Sequence, residues 1–234
     1  MKKLLVIIVL ILLAGAAIYG FWYYTTKKSI DEFSEKIQEC YTYMYQVSLG
    51  GIAMQLGEDQ GGNRMDYFRY TSDMVNLETN NEERKTAATN FIDVLDGSRK
   101  TLHDNYATSL SSLNMCVSEL YGYSNNLGGN DKTIAADLSK LSRDFYNNAK
   151  EIMDDHFEID SLRKNFAEGL IEKNGDLTKL YIEEDDVKNI GDEISQKYSS
   201  IKDNGEKEAS MLSRIRDEYA KIKTKYNLKE LRTK

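Results

Sequence analysis

The 234-residue chain contains no proline. Average usage of about 5% would supply roughly a dozen, spread over turns, loops and first helical positions. Proline removes a backbone donor and clashes with the preceding turn, so a chain without it is free to be helical almost throughout. The apolar spacing agrees. Ile30, Phe33, Ile37, Cys40, Met44 and Val47 alternate steps of three and four, and Ile134, Leu138, Leu141, Phe145, Ile152, Ile159, Leu162 and Phe166 keep heptad spacing. The expected fold is all-α: an N-terminal transmembrane helix, then an elongated antiparallel helical bundle with coiled-coil-like seams.

Helices are expected at about residues 29–56, 64–78, 82–127, 131–173 and 177–230. Gly61-Gly62 marks a turn, Asn80 followed by Glu83 reads as a capping box, and Asp131 is placed to cap the fourth helix. Asn174-Gly175-Asp176 closes that helix. Polar Asn148 and Asp155 interrupt its heptads, and Asp203-Asn204-Gly205 shifts the phase of the last stripe. If the first body helix rises from a membrane, an unbroken return helix would run into lipid. The chain must break near Asn80, turn at Asp96-Gly97-Ser98, or bend at Thr25-Thr26. Asn80 is favoured because the later helices then have matched lengths.

Residues 1–28 read as a signal-anchor segment. Leu4 to Tyr24 is uncharged and, as a helix, spans roughly the 30 Å hydrocarbon core of a bilayer. Phe21, Trp22, Tyr23 and Tyr24 supply the aromatic belt of a membrane boundary, ahead of Lys27 and Lys28. The expected topology is single-pass, with a cytoplasmic N-terminus and an extracytoplasmic body at 29–234. Ala14-Gly15-Ala16 offers an A-x-A pattern, so secretion after cleavage near Ala16 is the alternative. Ala16 and Gly20 form a small-x-x-x-small pair suited to self-association.

Four of the 31 basic residues flank the span and none of the 38 acids precedes Asp31, so the body carries 27 against 38, a net −11. Nucleic acid is thereby excluded as the main partner, and anionic lipid surfaces should repel such a body.

Glu151, Asp155 and Glu158 share a helical face with His156 close by, a weak candidate for a divalent ion; the favoured reading is a solvated acidic face. The run Glu183 to Asp186 suits the positive end of a helix dipole. Cys40 and Cys116 read first as buried apolar residues, and could be bridged in an oxidising compartment if residue 116 returns to the height of residue 40. Tyr41, Tyr43, Tyr45, Tyr67, Phe68 and Tyr70 cannot all enter one seam, which makes Tyr43 and Tyr70 a candidate partner patch. There is no G-x-S-x-G, H-E-x-x-H, P-loop or dinucleotide fingerprint, and only two histidines, His103 and His156. The expectation is a non-catalytic envelope scaffold or docking bundle with no cofactor, bound to an envelope protein partner or a second copy. A small-molecule sensor working through a separate transducer is the alternative.

Overall fold

The computed structural model describes the backbone of residues 2–56, 66–180 and 184–232, with side chains from residue 13 in the first stretch and from residue 190 in the last. All regular structure among these residues is helical: α1 (Lys2–Leu56), α2 (Tyr67–Val75), α3 (Asn81–Val94), a π-helical segment (Leu95–Arg99), α4 (Lys100–Asn125), α5 (Gly129–Glu172), α6 (Leu177–Leu180) and α7 (Glu184–Tyr226). The turn expected at Gly61-Gly62 lies outside the described residues. So do the side chains of Leu4 to Leu12 and of the acidic run from Glu183. Among the described residues no helix is long and apolar enough to cross a membrane.

α1 is one unbroken helix of 55 residues. The helix is not interrupted at Thr25-Thr26; the Thr25 hydroxyl donates to the carbonyls of Phe21 and Trp22, both at 3.0 Å, inside a continuous helix. From Ile30 onward α1 becomes one member of a four-helix arrangement. α4 returns beside it, α5 rises beside α4, and α7 descends between α5 and α1. Side-chain pairs fix the antiparallel register of α1 and α7: Ser34 with Tyr219, Tyr41 with Arg216, and Ser48 with Glu208. The six seam residues Ile30 to Val47 are each 0% exposed, and each buried side chain contributes about 1.5–3 kcal/mol of apolar transfer.

The chain breaks before α3, where the Glu83 N–H donates to Asn80 Oδ1 at 2.9 Å and Asn80 N–H donates to the Glu83 carboxylate at 3.4 Å. This reciprocal capping satisfies two donors the helix cannot use internally. Asp96-Gly97-Ser98 is no turn: it is absorbed into the π-helical segment, and the helix runs on. α2 folds back on α3 and covers the distal stretch of bundle that α1 does not reach.

One local expectation needs correction. Asp131 does not cap α5; it is buried and accepts from Lys225 Nζ and the Tyr226 hydroxyl. The last helical region is described as α6 and, from Glu184, as α7, residues 181–183 lying outside the described residues. Asp203-Asn204-Gly205 stays helical, and Asn148 Nδ2 donates to the Asn204 carbonyl at 2.8 Å, so two interruptions of the apolar pattern meet in one polar seam. At the α5 terminus Gly175 has φ +75°, and a Cβ there would lie 1.8 Å from the Asn81 carbonyl oxygen. Only glycine fits between the two turns.

The Cα atoms of Cys40 and Cys116 are 5.5 Å apart with the sulfurs in bonding contact, which ties α1 to α4 across 76 residues of chain. A loop of that length makes the bridge worth up to about 4 kcal/mol in the chain-entropy model. The expected outcome is no reactive thiol in denatured, unreduced protein, and a loss of about 2–4 kcal/mol in urea unfolding for C40S/C116S. Two free thiols in exported protein would defeat this assignment.

Candidate functional site

At the level where α1 ends and α2 begins, the bundle core turns polar. The π-helical segment brings Arg99 inward until it is 1% exposed. Its Nε donates to Asp160 Oδ2 at 2.7 Å and its Nη1 donates to the Met54 carbonyl at 2.8 Å. His103 Nε2 donates to the same Asp160 oxygen at 2.7 Å, and the Tyr67 hydroxyl donates to Oδ1. Arg163 Nη1 in turn donates to the Tyr67 oxygen at 2.6 Å, and its guanidinium lies 5.1 Å and 5.5 Å from the Tyr67 and Tyr198 ring centres. One buried carboxylate from α5 thus gathers donors from α2, the π-helical segment and α4.

Burial alone would raise the Asp160 carboxyl, but the His103 hydrogen bond, the Arg99 charge and the bonds from Arg99 and Tyr67 outweigh it and hold the group at about 2. Burial, and then the neighbouring Asp160, push the Tyr67 phenol up. His156 is pushed down to about 3 by burial and then by the Arg99 charge, so its ring is neutral. Its Nδ1 faces Arg99 Nη2 at 3.5 Å and accepts, which leaves the hydrogen on Nε2. Among the described residues that Nε2 and His103 Nδ1 have no hydrogen-bond partner. A His–carboxylate pair of this kind orients a general base in hydrolases. Among the described residues no serine or cysteine partners the outer nitrogen of His103, and the hydroxyl on Asp160, that of Tyr67, bonds the carboxylate itself. The arrangement holds protons and fixes helix register.

A second buried acid lies lower, between α1 and α7. Glu208 accepts from Ser48 Oγ at 2.9 Å, while its other oxygen has no partner among the described residues. Burial pushes this carboxyl up to about 7, against the bonds from Ser48 and Asn148. Tyr106 packs nearby on α4, donating to the Ala149 carbonyl at 3.0 Å. A Cβ on Gly50 would come within 2.7 Å of its ring, so Gly50 sets how closely α4 approaches α1.

The residues singled out from sequence do not converge. Glu151 accepts from Asn204 at 3.4 Å, Asp155 and Glu158 both pair with Lys197, and His156 points to the other side of α5 toward Arg99. The acidic face is therefore an α5–α7 edge partly neutralised by a lysine, not a purely solvated surface. Among the described residues no group of three His, Cys, Asp or Glu is placed to hold a metal ion. Tyr43 and Tyr70 are both half-buried against the core. The exposed large apolar side chains on the same stretch of α1 are Tyr45, Leu49, Ile52 and Leu56, again in steps of four and three. Arg99, Asp160 and Tyr67 are not apparent as a cluster in the sequence. Their signal was a charged residue in a seam, since Arg99 lies four after Leu95 and three before Leu102, as His156 lies between Ile152 and Ile159. Comparison with protein-family models, with curated proteins and with solved structures finds no match to this chain.

The two shifted buried groups act on stability with opposite sign. His156 is depressed, so its contribution is full above pH 6.5 and is lost as pH falls toward about 3. Glu208 is raised, so its contribution is full below pH 4.5 and is lost as pH rises through about 7. Between those ordinary values the slopes offset each other, and Asp160 enters only below its ordinary 3.8. Urea unfolding of the unaltered protein should therefore be nearly flat from pH 4.5 to 6.5. E208Q should lose up to about 1.4 kcal/mol per unit on acidification and H156Q should gain as much. Parallel profiles for all three proteins would contradict it.

Proposed function

We propose that this chain is a membrane-anchored, non-catalytic helical scaffold of the cell envelope, held in the bilayer by residues 4–24 and presenting an extracytoplasmic bundle to a protein partner. The observation that carries the reading is α1. Tyr19, Phe21, Trp22, Tyr23 and Tyr24 point in all directions around the helix, each more than half exposed. Seven residues after Tyr23, at Ile30, the same unbroken helix is fully buried in the bundle. Aromatic surface of that extent in water is costly, whereas at a bilayer boundary it is stabilising. The bonded geometry of Cys40 and Cys116 supports an oxidising, exported location for the body.

The docking face on this reading is the outer stripe of α1, Tyr45, Leu49, Ile52 and Leu56, whose heptad steps suit a partner helix laid alongside.

The anchor is tested by alkaline carbonate extraction. The full chain should stay with the membrane pellet, and a chain begun at Thr25 should move to the supernatant; release of the full chain would remove the anchor. The docking face is tested with Leu49→Asp, an exposed position expected to change stability by less than about 0.5 kcal/mol. Photo-crosslinks from residue 52 to an envelope protein should disappear in that variant, and their persistence would place the partner elsewhere.

A further inference from the structure

The charge of the chain is segregated by the fold. α7 descends beside α1, and its end lies at the anchor-proximal end of the bundle: the Ser34 and Tyr219 hydroxyls are 2.6 Å apart, Lys225 Nζ reaches Asp131 at 2.8 Å at the start of α5, and Arg232 N–H donates to Gln38 at 3.0 Å. Below the level of the Ser34–Tyr219 pair lie Lys27, Lys28, Lys132, Lys221, Lys223 and Lys225, while the tail after α7 climbs back, the Lys229 carbonyl accepting from the Tyr219 hydroxyl and Arg232 lying beside Gln38. Among the described residues these six face three carboxylates at that level, Asp31, Glu32 and Asp131. The described part of this end thus carries six against three, +3, on a chain whose total is −7. The end of α4 and the link after it at the same level, residues 122–128, have no charge of either sign.

We propose that this basic end is a collar that binds the anionic headgroups of the bilayer in which α1 is anchored. The inference rests on the anchor reading. Lys27 and Lys28 stand one helical turn beyond the aromatic belt, at the depth where phosphate groups lie. Lys132, Lys221 and Lys225 are exposed at that end of the bundle and come from two other parts of the chain. The pairs Lys27–Asp31, Lys223–Glu230 and Lys225–Asp131 orient their lysines without cancelling the excess. A cationic end beside an anionic surface is attracted over about a Debye length, while the acidic remainder of the bundle is pushed away from it. Attraction at one end and repulsion along the shaft hold the bundle upright.

The test uses the full chain in lipid nanodiscs, made either of phosphatidylcholine alone or enriched in phosphatidylglycerol, with acetylation of each lysine followed by mass spectrometry. Lys132 and Lys225 should react about fivefold more slowly in the phosphatidylglycerol discs. The difference should vanish in high salt, and Lys100, beside the distal end of α1, should react alike in both. Equal rates for Lys132 and Lys225 in the two discs, in a chain that has entered them, overturn the collar and leave the anchor standing. A chain that does not enter the discs overturns the anchor, and the lipid contact with it.

Discussion

A carboxylate taken out of water sets the distal half of this bundle. Asp160 is 8% exposed, and an ionised group at that depth persists only where hydrogen bonds and opposite charge replace its hydration. The replacements come from Tyr67 on α2, Arg99 on the π-helical segment and His103 on α4, so α5 cannot slide or rotate against these elements without stranding a charge. Arg99 extends the constraint to the end of α1 through the Met54 carbonyl. Such a network contributes little net stability compared with an apolar core of the same shape, but it penalises every other register heavily.

The proximal half is organised differently. There the seam from Ile30 to Val47 is dry and apolar, and the Cys40–Cys116 contact joins α1 to α4 midway along it. Specificity comes from shape: Gly50 admits the Tyr106 ring, and the hydroxyl pairs to α7 settle its height. Between the halves lies the Asn148–Asn204–Glu208 seam, where α5, α7 and α1 meet through polar groups. An apolar lower segment, a polar middle and a charged upper core give each level of the bundle its own pairing rule, which excludes shifted alignments of long and otherwise similar helices.

The all-helical class was legible because it depends on periodicity and on the missing proline, both local properties. The break before α3 was legible for the same reason, since Asn80 and Glu83 carry their cap within four residues. The π-helical segment was misread as a possible turn, although the buried positions Ala87, Phe91, Leu95, Arg99 and His103 advance in unbroken steps of four. That advance exceeds 3.6 residues per turn, and a wider turn is needed to keep them on one face. Asp131 was read as a cap because of its place near a helix start; its actual role depends on Lys225 and Tyr226, 94 and 95 residues away, which no local window contains. The Asp160 cluster has the same character. Charged residues at seam positions signal that something compensates them, but not which helices supply the compensation.

The unbroken course of α1 has a mechanical consequence. With no glycine, proline or loop between Phe21 and Val47, there is no hinge at which the bundle could swing independently of the first two dozen residues. The distance from Tyr24 to Leu56 along the helix is about 48 Å, so a tilt of about 10° at the base carries the far end of α1 about 8 Å sideways. α1 is therefore a lever, with the disulfide-linked α4 strapped to its lower arm. A small tilt of the N-terminal segment carries the polar core around Met54 and Arg99 sideways with α1.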